Sequence, residues 1–212
     1  MIKAVLFDFD GTLIDTNELI FNSYKVAFRS VLMREIETDE ILKLYGRPLY
    51  SSLMQYGEEG ERLYNVYREF NLKNHDILAK PFAGALEGVK MLIGKGYKVG
   101  IVTSKRMHLV ERGIKIIKMD GMFDVIITPD DTEKAKPDPE PIICGCQKLG
   151  VSPEETLYVG DSIFDMQAGK SAGTQLCAVK YSLTPDEQLL EFSPRYFVDT
   201  IEELALQMEA LR

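Results

Sequence analysis

The sequence predicts an α/β protein: a doubly wound parallel sheet with helices on both faces, interrupted by an inserted all-helical block. A short apolar run, residues 4–7, ends in two aspartates, as a strand buried on both faces of a parallel sheet does. Residues 16–80 show helical periodicity and no strand pattern. From residue 81 strand and helix patterns alternate. The predicted domains are therefore 1–15 with 81–212, and 16–80.

The first strand runs directly into Asp8 and Asp10. These residues are two apart, so their side chains point the same way in an extended chain. Two carboxylates in that position repel each other unless a cation or a substrate offsets the repulsion. Gly11 lets the chain turn sharply past them, and Thr12 can cap the next segment or donate a hydrogen bond. The alternative is an aspartate-rich turn that only caps a helix.

The helical block follows this turn. Start signals, glycine or proline stops and apolar residues at helical spacing predict its helices. They are expected over roughly 17–33, from 38 to 46, from 48 to about 54 and from 58 to about 79.

From residue 81 onward, strand patterns alternate with helix patterns. The predicted strands are 97–103, 123–128, 156–159, 175–180 and 196–198. The predicted helices are one that contains residues 86–93 and stops at 94–96, one that contains residues 109–117, three at about 140–149, 163–172 and 185–192, and a last one from about 200. This order is typical of a parallel sheet with crossover helices.

Polar side chains follow several of the predicted strands. They are Asp8 with Asp10, Thr103 with Ser104 and Lys105, Lys136, and Asp161 with Asp165. The carboxyl ends of parallel strands share one edge of the sheet, so we expect these groups to converge. Carboxylates such as Asp8, Asp10 and Asp161 are hard oxygen ligands of the kind that Mg²⁺ prefers. Thr103, the free N–H groups of the following helix, and Lys136 would suit phosphate oxygens.

Composition excludes other classes of protein. The formal net charge is −8 and the isoelectric point is near 4.9, which argues against nucleic acid or an anionic membrane as partner. No apolar stretch approaches the roughly 20 residues that span a bilayer. Because the amino terminus enters the first strand directly, we expect no signal peptide, a cytoplasmic location and reduced cysteines.

These motifs, taken in order, resemble those of the haloacid dehalogenase superfamily of phosphatases and phosphomutases. The matching stretches are Asp8-Phe9-Asp10-Gly11-Thr12, Thr103 at the close of I-V-T, Lys136-Pro137, and Gly160-Asp161 with Asp165. The resemblance covers essentially the whole chain, because the helical block is similar to the family's cap domain. It implies a Rossmann-like core with an inserted helical cap.

The resemblance also implies a role for each residue. Asp8 would be the nucleophile that forms an aspartyl-phosphate, and Asp10 the general acid and then base. Asp8, the backbone carbonyl of Asp10, and Asp161 would bind Mg²⁺. Thr103, Ser104 and Lys136 would hold the phosphoryl group, and Asp165 would orient Lys136 or a metal-bound water. An acid at residue 10 favours phosphate-ester or anhydride chemistry over dehalogenation, which has no leaving group to protonate.

Shorter strings resemble the bacterial inorganic pyrophosphatase branch, which is close to the phosphoglycolate phosphatases. They are T-N-E-L-I, Y-R-E-F-N with a following H-D, and G-Y-K-V-G-I-V-T. The implied reaction is Mg²⁺-dependent hydrolysis of pyrophosphate. The alternatives are a phosphoglycolate-type phosphatase, a β-phosphoglucomutase-type sugar phosphomutase, and a non-catalytic phospho-receiver.

Substrate choice is expected to depend on the helical block. A cap that closes over a small phosphorylated substrate would set specificity and exclude water. Arg47, which follows a helix-ending glycine, and Arg68 on the long helix are the candidate contacts. The sequence leaves open whether the protein is a monomer or a homodimer.

Overall fold

The computed structural model describes residues 1–209, which form two compact units. The core unit comprises Met1–Asp15 and the chain from Lys80 onward, and the helical unit comprises Thr16–Ala79. The sequence places the second boundary one residue later, between 80 and 81. Residues 210–212, which the sequence assigns to the α/β domain, lie outside the described residues.

Strands and helices are numbered in chain order over residues 1–209. The strands are β1 (Ala4–Phe7), β2 (Ile14–Asp15), β3 (Lys80–Pro81), β4 (Lys98–Val102), β5 (Val125–Ile127), β6 (Thr156–Gly160), β7 (Gln175–Val179) and β8 (Tyr196–Val198). The helices are α1 (Asn17–Leu32), α2 (Thr38–Leu44), α3 (Leu49–Met54), α4 (Gly60–Leu78), α5 (Ala85–Gly94), α6 (Met107–Ile116), α7 (Glu140–Leu149), α8 (Ile163–Ala172), α9 (Asp186–Leu190) and α10 (Ile201–Gln207).

The core unit is built on a six-stranded parallel sheet in the order β5-β4-β1-β6-β7-β8. Strand β1 lies in the middle, where Phe7 is paired with Ile101 on one side and Val159 on the other. All four residues of β1 are fully buried, as expected for a strand in a sheet covered by helices. The predicted α/β fold class is confirmed.

Close packing beside β1 depends on a glycine in the neighbouring strand. A Cβ atom on Gly100 would lie 2.5 Å from Cγ1 of Val125 and 2.8 Å from Cδ2 of Leu6. The absent side chain lets these two side chains fill the space beside β4. They belong to a buried cluster with Val102, Ile127, Ile142 and Tyr158.

Two short strands were not predicted from the sequence. Strands β2 and β3 form an antiparallel pair, in which Ile14 is opposite Pro81 and Asp15 is opposite Lys80. Two residues are too few to show a period of two, so no alternation in the sequence could indicate them. The pair joins the points at which the chain leaves the core unit and returns to it.

The helical unit contains α1 to α4 and a 3₁₀ turn at Gly57–Glu59. Helices α1 and α4 pack against each other, and aromatic rings fill much of the interior. The Tyr24 and Tyr67 rings meet edge to face with centroids 4.8 Å apart, and Phe28 meets Tyr56 at 5.0 Å. Every regular element between residues 16 and 79 is helical, as the sequence indicated.

None of the helices in the described part of the chain is both long and apolar enough to cross a bilayer.

Candidate active site

The predicted polar residues follow strands that are neighbours in the sheet. Asp8 continues β1, and its N–H donates to the carbonyl of Val159 in β6 at 2.8 Å. Thr103 continues β4 and donates its N–H to the carbonyl of Ile127 in β5 at 3.0 Å. Asp161 directly follows β6. Because these strands are parallel, the three residues lie at the same edge of the sheet.

The loop after β1 is a tight turn. Gly11 adopts a φ of 81°, a left-handed conformation that glycine adopts without steric cost. The N–H groups of Leu13 and Ile14 both donate to the carbonyl of Phe9, at 3.0 and 3.1 Å. These bonds stabilise the backbone that carries Asp8 and Asp10.

Asp8 and Asp165 share a buried lysine. The Nζ of Lys136 lies 2.8 Å from Oδ1 of Asp8 and 2.6 Å from Oδ1 of Asp165. Burial raises the pKa of Asp8 to about 7, although Lys136 opposes that rise. Burial also lowers the pKa of Lys136, but the charges of Asp165 and Asp8 outweigh it and hold that pKa well above its usual value. The lysine therefore keeps its charge.

A further set of contacts keeps Lys136 in place. Its Nζ donates to the hydroxyl of Tyr158 at 3.1 Å and to the carbonyl of Val102 at 3.3 Å. The Tyr158 hydroxyl is in turn 3.1 Å from that carbonyl and from Oδ1 of Asp165. Burial raises the pKa of Tyr158 well above its usual value, so the phenol stays neutral. The ammonium group is thus surrounded by oxygen atoms that restrict its position.

Asp165 is fixed by the start of α8. Its Oδ2 accepts from the hydroxyl of Ser162 at 2.6 Å and from the N–H of Ser162 at 3.1 Å, while its own N–H donates to that hydroxyl at 3.2 Å. This reciprocal pattern is a capping box. A Cβ atom on Gly160 would lie 2.4 Å from Cβ of Asp165, so this approach requires glycine. Both oxygens of Asp165 are therefore engaged by protein groups.

Asp161 is held by the first loop and by the chain after β7. The Thr12 hydroxyl donates to Oδ1 of Asp161 at 3.4 Å, and the Ser182 hydroxyl donates to the backbone carbonyl of Asp161. The Tyr181 hydroxyl donates to the carbonyl of Thr12 at 2.6 Å. The loops after β1, β6 and β7 are thus connected by side chains.

Asp10 has a lysine of its own. Oδ1 of Asp10 lies 2.7 Å from Nζ of Lys105, whose side chain is only 8% exposed. The backbone N–H of Lys105 donates to the hydroxyl of Thr103 at 3.2 Å. Thr103 is buried, whereas Ser104 is exposed. The predicted phosphate-binding residues Thr103 and Ser104 therefore lie next to the Asp10–Lys105 pair.

One group of carboxylates could hold a metal ion. Among residues 1–209, oxygens of Asp8, Asp161 and Asp165 lie within 4.8 Å of one another, and all three residues are buried. The donor set suits Mg²⁺, because hard oxygen ligands and excess negative charge beside one lysine favour a divalent cation. Since Asp165 is engaged by Lys136, Tyr158 and Ser162, Asp8 and Asp161 are the better side-chain ligands.

The carboxylate of Asp10 is not part of this group within the described residues, because it pairs with Lys105. The predicted metal contact of Asp10 would thus use the backbone carbonyl, as the sequence resemblance implies.

The candidate specificity residues belong to the helical unit. Arg47 is exposed and lies between α2 and α3, where its backbone N–H donates to the carbonyl of Leu44 at 3.3 Å. The Arg68 guanidinium lies over the Tyr64 ring, 5.5 Å from its centroid. The Tyr64 ring therefore restricts Arg68 from one side.

Sequence reasoning gave no role to Tyr158, Lys105, Tyr181 or Ser182. Tyr158 lies inside an otherwise apolar strand and looks like a core residue, although a buried tyrosine hydroxyl needs a partner. Lys105 lies two residues after Thr103, and only the fold shows that it meets Asp10. Contacts between residues this far apart in the chain leave no local pattern in the sequence.

The sequence and this arrangement define the class of protein. Residues 5–179 match the family model described as haloacid dehalogenase-like hydrolase. The chain belongs to the haloacid dehalogenase-like hydrolase family, and it is a phosphatase of that family.

Two similar proteins match nearly the whole length of the chain. A candidate pyrophosphatase PpaX from Clostridium perfringens is 47% identical over 212 residues, which is 100% of this chain and 99% of that protein. Pyrophosphatase PpaX from Bacillus cereus is 40% identical over 204 residues, 96% of this chain and 94% of that protein.

Among solved structures, a candidate phosphoglycolate phosphatase from Lactobacillus plantarum has a TM-score of 0.86 at 21% identity, covering 98% of this chain and 100% of that one. A candidate β-phosphoglucomutase from Thermotoga maritima has a TM-score of 0.77 at 27% identity, covering 97% of both chains.

Proposed function

We propose that this phosphatase hydrolyses inorganic pyrophosphate to two phosphates, with Mg²⁺ as cofactor and an aspartyl-phosphate on Asp8 as intermediate. The observation that carries the mechanism is the buried Asp8 carboxylate, 2.8 Å from Lys136, beside a second aspartate two residues later. The choice of pyrophosphate is supported by full-length similarity to proteins named pyrophosphatase.

In the first step Asp8 attacks one phosphorus atom of pyrophosphate. A bond forms between a carboxylate oxygen of Asp8 and phosphorus as the bond from phosphorus to the bridging oxygen breaks. The electron pair of the broken bond stays on the bridging oxygen, which accepts a proton from Asp10 and departs as phosphate.

In the second step water hydrolyses the aspartyl-phosphate. Asp10, now a carboxylate, takes a proton from the water as its oxygen bonds to phosphorus. The bond between phosphorus and the Asp8 oxygen breaks, and its electron pair restores the Asp8 carboxylate. One pyrophosphate and one water thus yield two phosphates, and the enzyme regains its starting state.

The surrounding groups stabilise the charge that moves in these steps. Lys136 and the Thr103 hydroxyl would contact the equatorial oxygens of the transferred phosphoryl group, with Ser104 assisting. Asp165 would position Lys136 rather than contact substrate, because both its oxygens bond to protein groups. Asp8, Asp161 and the backbone carbonyl of Asp10 would hold Mg²⁺, which supplies Lewis-acid neutralisation of phosphate charge when bound.

We propose further that the helical unit acts as the cap domain and sets specificity, through Arg47 and Arg68. The substitutions Arg47→Met and Arg68→Met should then raise KM for pyrophosphate by about 10-fold or more with a smaller effect on kcat. An unchanged KM in both variants would rule out these two contacts.

A cytoplasmic location and a monomeric or homodimeric state remain predictions.

Phosphate release from a substrate panel tests the assignment. Purified protein with Mg²⁺ is assayed on pyrophosphate, phosphoglycolate and hexose phosphates, and we expect kcat/KM to be highest for pyrophosphate. Activity on phosphoglycolate far above pyrophosphate would replace the proposed substrate. A requirement for a sugar bisphosphate activator would instead indicate a phosphomutase.

A further inference from the structure

Lys105 is a cation with a largely buried side chain, and the mechanism above gives it no role. Its side chain is 8% exposed, and its Nζ lies 2.7 Å from Oδ1 of Asp10. The same Nζ lies 5.8 Å from the centroid of the Phe9 ring. Burying an ammonium group is costly unless the surrounding groups compensate for its lost hydration. A buried lysine beside the proposed proton donor therefore calls for a functional explanation.

The backbone of Lys105 is held at the end of β4, while its side chain can turn. Its backbone N–H donates to the Thr103 hydroxyl at 3.2 Å, which ties it to the end of β4. A Cβ atom on Gly113 would lie 2.6 Å from the Phe9 ring, so α6 lies directly against the loop between the two aspartates. Lys105, at the start of this β4–α6 connection, is thereby held beside Asp10.

Each of the two aspartates thus has its own lysine. Lys136 contacts Asp8, at 2.8 Å, where the transferred phosphoryl group would be bonded. Lys105 contacts Asp10, at 2.7 Å, where the leaving group would receive its proton. Lys136 is further surrounded by Asp165, Tyr158 and the carbonyl of Val102. The arrangement matches a substrate that has one anionic group on each side of the bond that breaks.

Distances place Lys105 within reach of the leaving group. An oxygen that accepts a proton from Asp10 must come within hydrogen-bond distance of one of its two carboxylate oxygens, hence within about 6 Å of Nζ of Lys105 if that oxygen is Oδ1 and within about 8 Å if it is Oδ2. The terminal oxygens of a leaving phosphate extend beyond that bridging oxygen. A lysine side chain has enough rotatable bonds to turn its ammonium group from Asp10 toward such an anion.

We propose that Lys105 is a ligand of the leaving phosphate and makes the site selective for substrates with an anionic leaving group. This inference rests on the proposed function and assigns the second phosphate of pyrophosphate to a site in the core unit. As charge builds on the bridging oxygen, a nearby ammonium group stabilises it without needing to move solvent.

The test compares substrates with and without an anionic leaving group. Lys105→Met should lower kcat/KM for pyrophosphate on the order of 10²-fold, a typical loss for one charge-stabilising donor. The same variant should lower kcat/KM for 2-hydroxyethyl phosphate, whose leaving group is uncharged, by less than about 10-fold, because only the contact between Lys105 and Asp10 is lost there. Lys105→Arg should retain most of the activity on pyrophosphate, because it retains the positive charge.

Two controls separate this role from a structural one. Lys148→Met removes an exposed lysine that forms an ion pair of the same length, 2.7 Å to Asp131, and should leave both substrates unaffected. Lys105→Gln can still donate a hydrogen bond to Asp10 but lacks the charge. It replaces Lys105→Met in the comparison if the methionine variant does not fold. Equal losses on both substrates, or no loss on pyrophosphate, would overturn the proposal.

The outcome is also informative if pyrophosphate is not the substrate. In that case the wild-type enzyme fails on pyrophosphate, and the same variants are compared on phosphoglycolate and 2-hydroxyethyl phosphate. These two esters differ mainly in the carboxylate of the leaving group. A loss confined to phosphoglycolate supports the role of Lys105, and an equal loss on both refutes it.

Discussion

At the scale of single residues, the main effect in the site is burial of charge. Asp8 lies in the interior, and desolvation raises its pKa to about 7 even though Lys136 is 2.8 Å away. The free energy of burying this carboxylate opposes folding of the metal-free protein once Asp8 is ionised. Placing the proposed nucleophile in this position therefore lowers the stability of the metal-free protein.

The free-energy cost of burying ionised Asp8 predicts that the stability of the protein depends on pH. Between pH 4 and the folded pKa near 7, the folded state holds a proton on Asp8 that the unfolded state has lost. The contribution of Asp8 to the free energy of unfolding should therefore fall as pH rises through this range and then level off. Asp8→Asn lacks that contribution, so its stability relative to wild type should increase from pH 5 to pH 8.

The measurement is urea unfolding of both proteins in the presence of a chelator. Between pH 5 and pH 8, the difference in free energy of unfolding between Asp8→Asn and wild type should change by on the order of 1 to 4 kcal/mol. This range follows from the raised pKa of Asp8, on which burial and Lys136 have opposite effects. A stability difference that is constant with pH would show that Asp8 titrates near its ordinary value in the fold.

Residues also mark the limit of what the sequence can predict about the site. Asp8, Thr103, Lys136 and Asp161 could be singled out because each follows a strand, and strand ends meet at one edge. Lys105 was expected at the same edge without a role of its own, and Tyr158 was not singled out because it lies inside an apolar strand. A tyrosine in an apolar strand and a lysine in a loop both have common structural explanations.

At the scale of secondary-structure elements, helix ends were the most predictable feature. Helices α7 and α8 have the predicted bounds. Pro139 and Pro141 mark the start of α7. Gly150 follows the end of α7, and Gly173 follows the end of α8. Strands β4 and β5 are shorter than predicted, because the strand pattern in the sequence extends one or two residues past the regular strand at each end. The β2–β3 pair was too short to be indicated at all.

The connection from β6 to α8 depends on a glycine. A Cβ atom on Gly160 would meet Cβ of Asp165 at 2.4 Å and its Cγ at 2.7 Å, so Gly160→Ala should push Asp165 away from Lys136. We expect a loss of about 1–3 kcal/mol in stability from overpacking. We also expect kcat to fall by about 10-fold or more, because small displacements in a catalytic site are costly.

Gly94→Ala provides the matched control. Gly94 ends α5, and no atom lies within 4 Å of where its Cβ would be. This substitution should leave kcat unchanged and leave stability equal or slightly increased, because alanine reduces the freedom of the unfolded chain. Equal effects of the two substitutions on kcat would contradict the proposed role of the close approach between Gly160 and Asp165.

At the scale of the whole molecule, a negatively charged protein holds two little-exposed lysine side chains beside the aspartates of the candidate site. The formal net charge is −8, yet Lys136 and Lys105 are among the least exposed lysine side chains. Buried charges are screened by salt much less than surface charges are. The proposed recognition of phosphate would therefore depend on these local groups rather than on the overall charge.

Cation binding should be visible as stability of the whole chain. The cluster of Asp8, Asp161 and Asp165 repels itself, and a bound Mg²⁺ would offset that repulsion. At a concentration 100 times the dissociation constant, binding to the folded state adds about 2.7 kcal/mol. Mg²⁺ should therefore raise the melting temperature of wild type but raise it much less for Asp161→Asn.

The exposed Asp186 on α9 supplies a control, because Asp186→Asn removes the same charge outside the cluster. This variant should respond to Mg²⁺ as wild type does. Equal Mg²⁺ responses of wild type and Asp161→Asn would place cation binding elsewhere.

The most direct test of the mechanism is to trap the phosphorylated enzyme. Wild type mixed with radiolabelled pyrophosphate and Mg²⁺ is quenched rapidly in acid, digested and analysed for labelled peptides. We expect a hydroxylamine-sensitive label on the peptide that contains Asp8, and neither label nor turnover in Asp8→Asn. Turnover by Asp8→Asn at a rate near that of wild type, or a label on another residue, would contradict this mechanism.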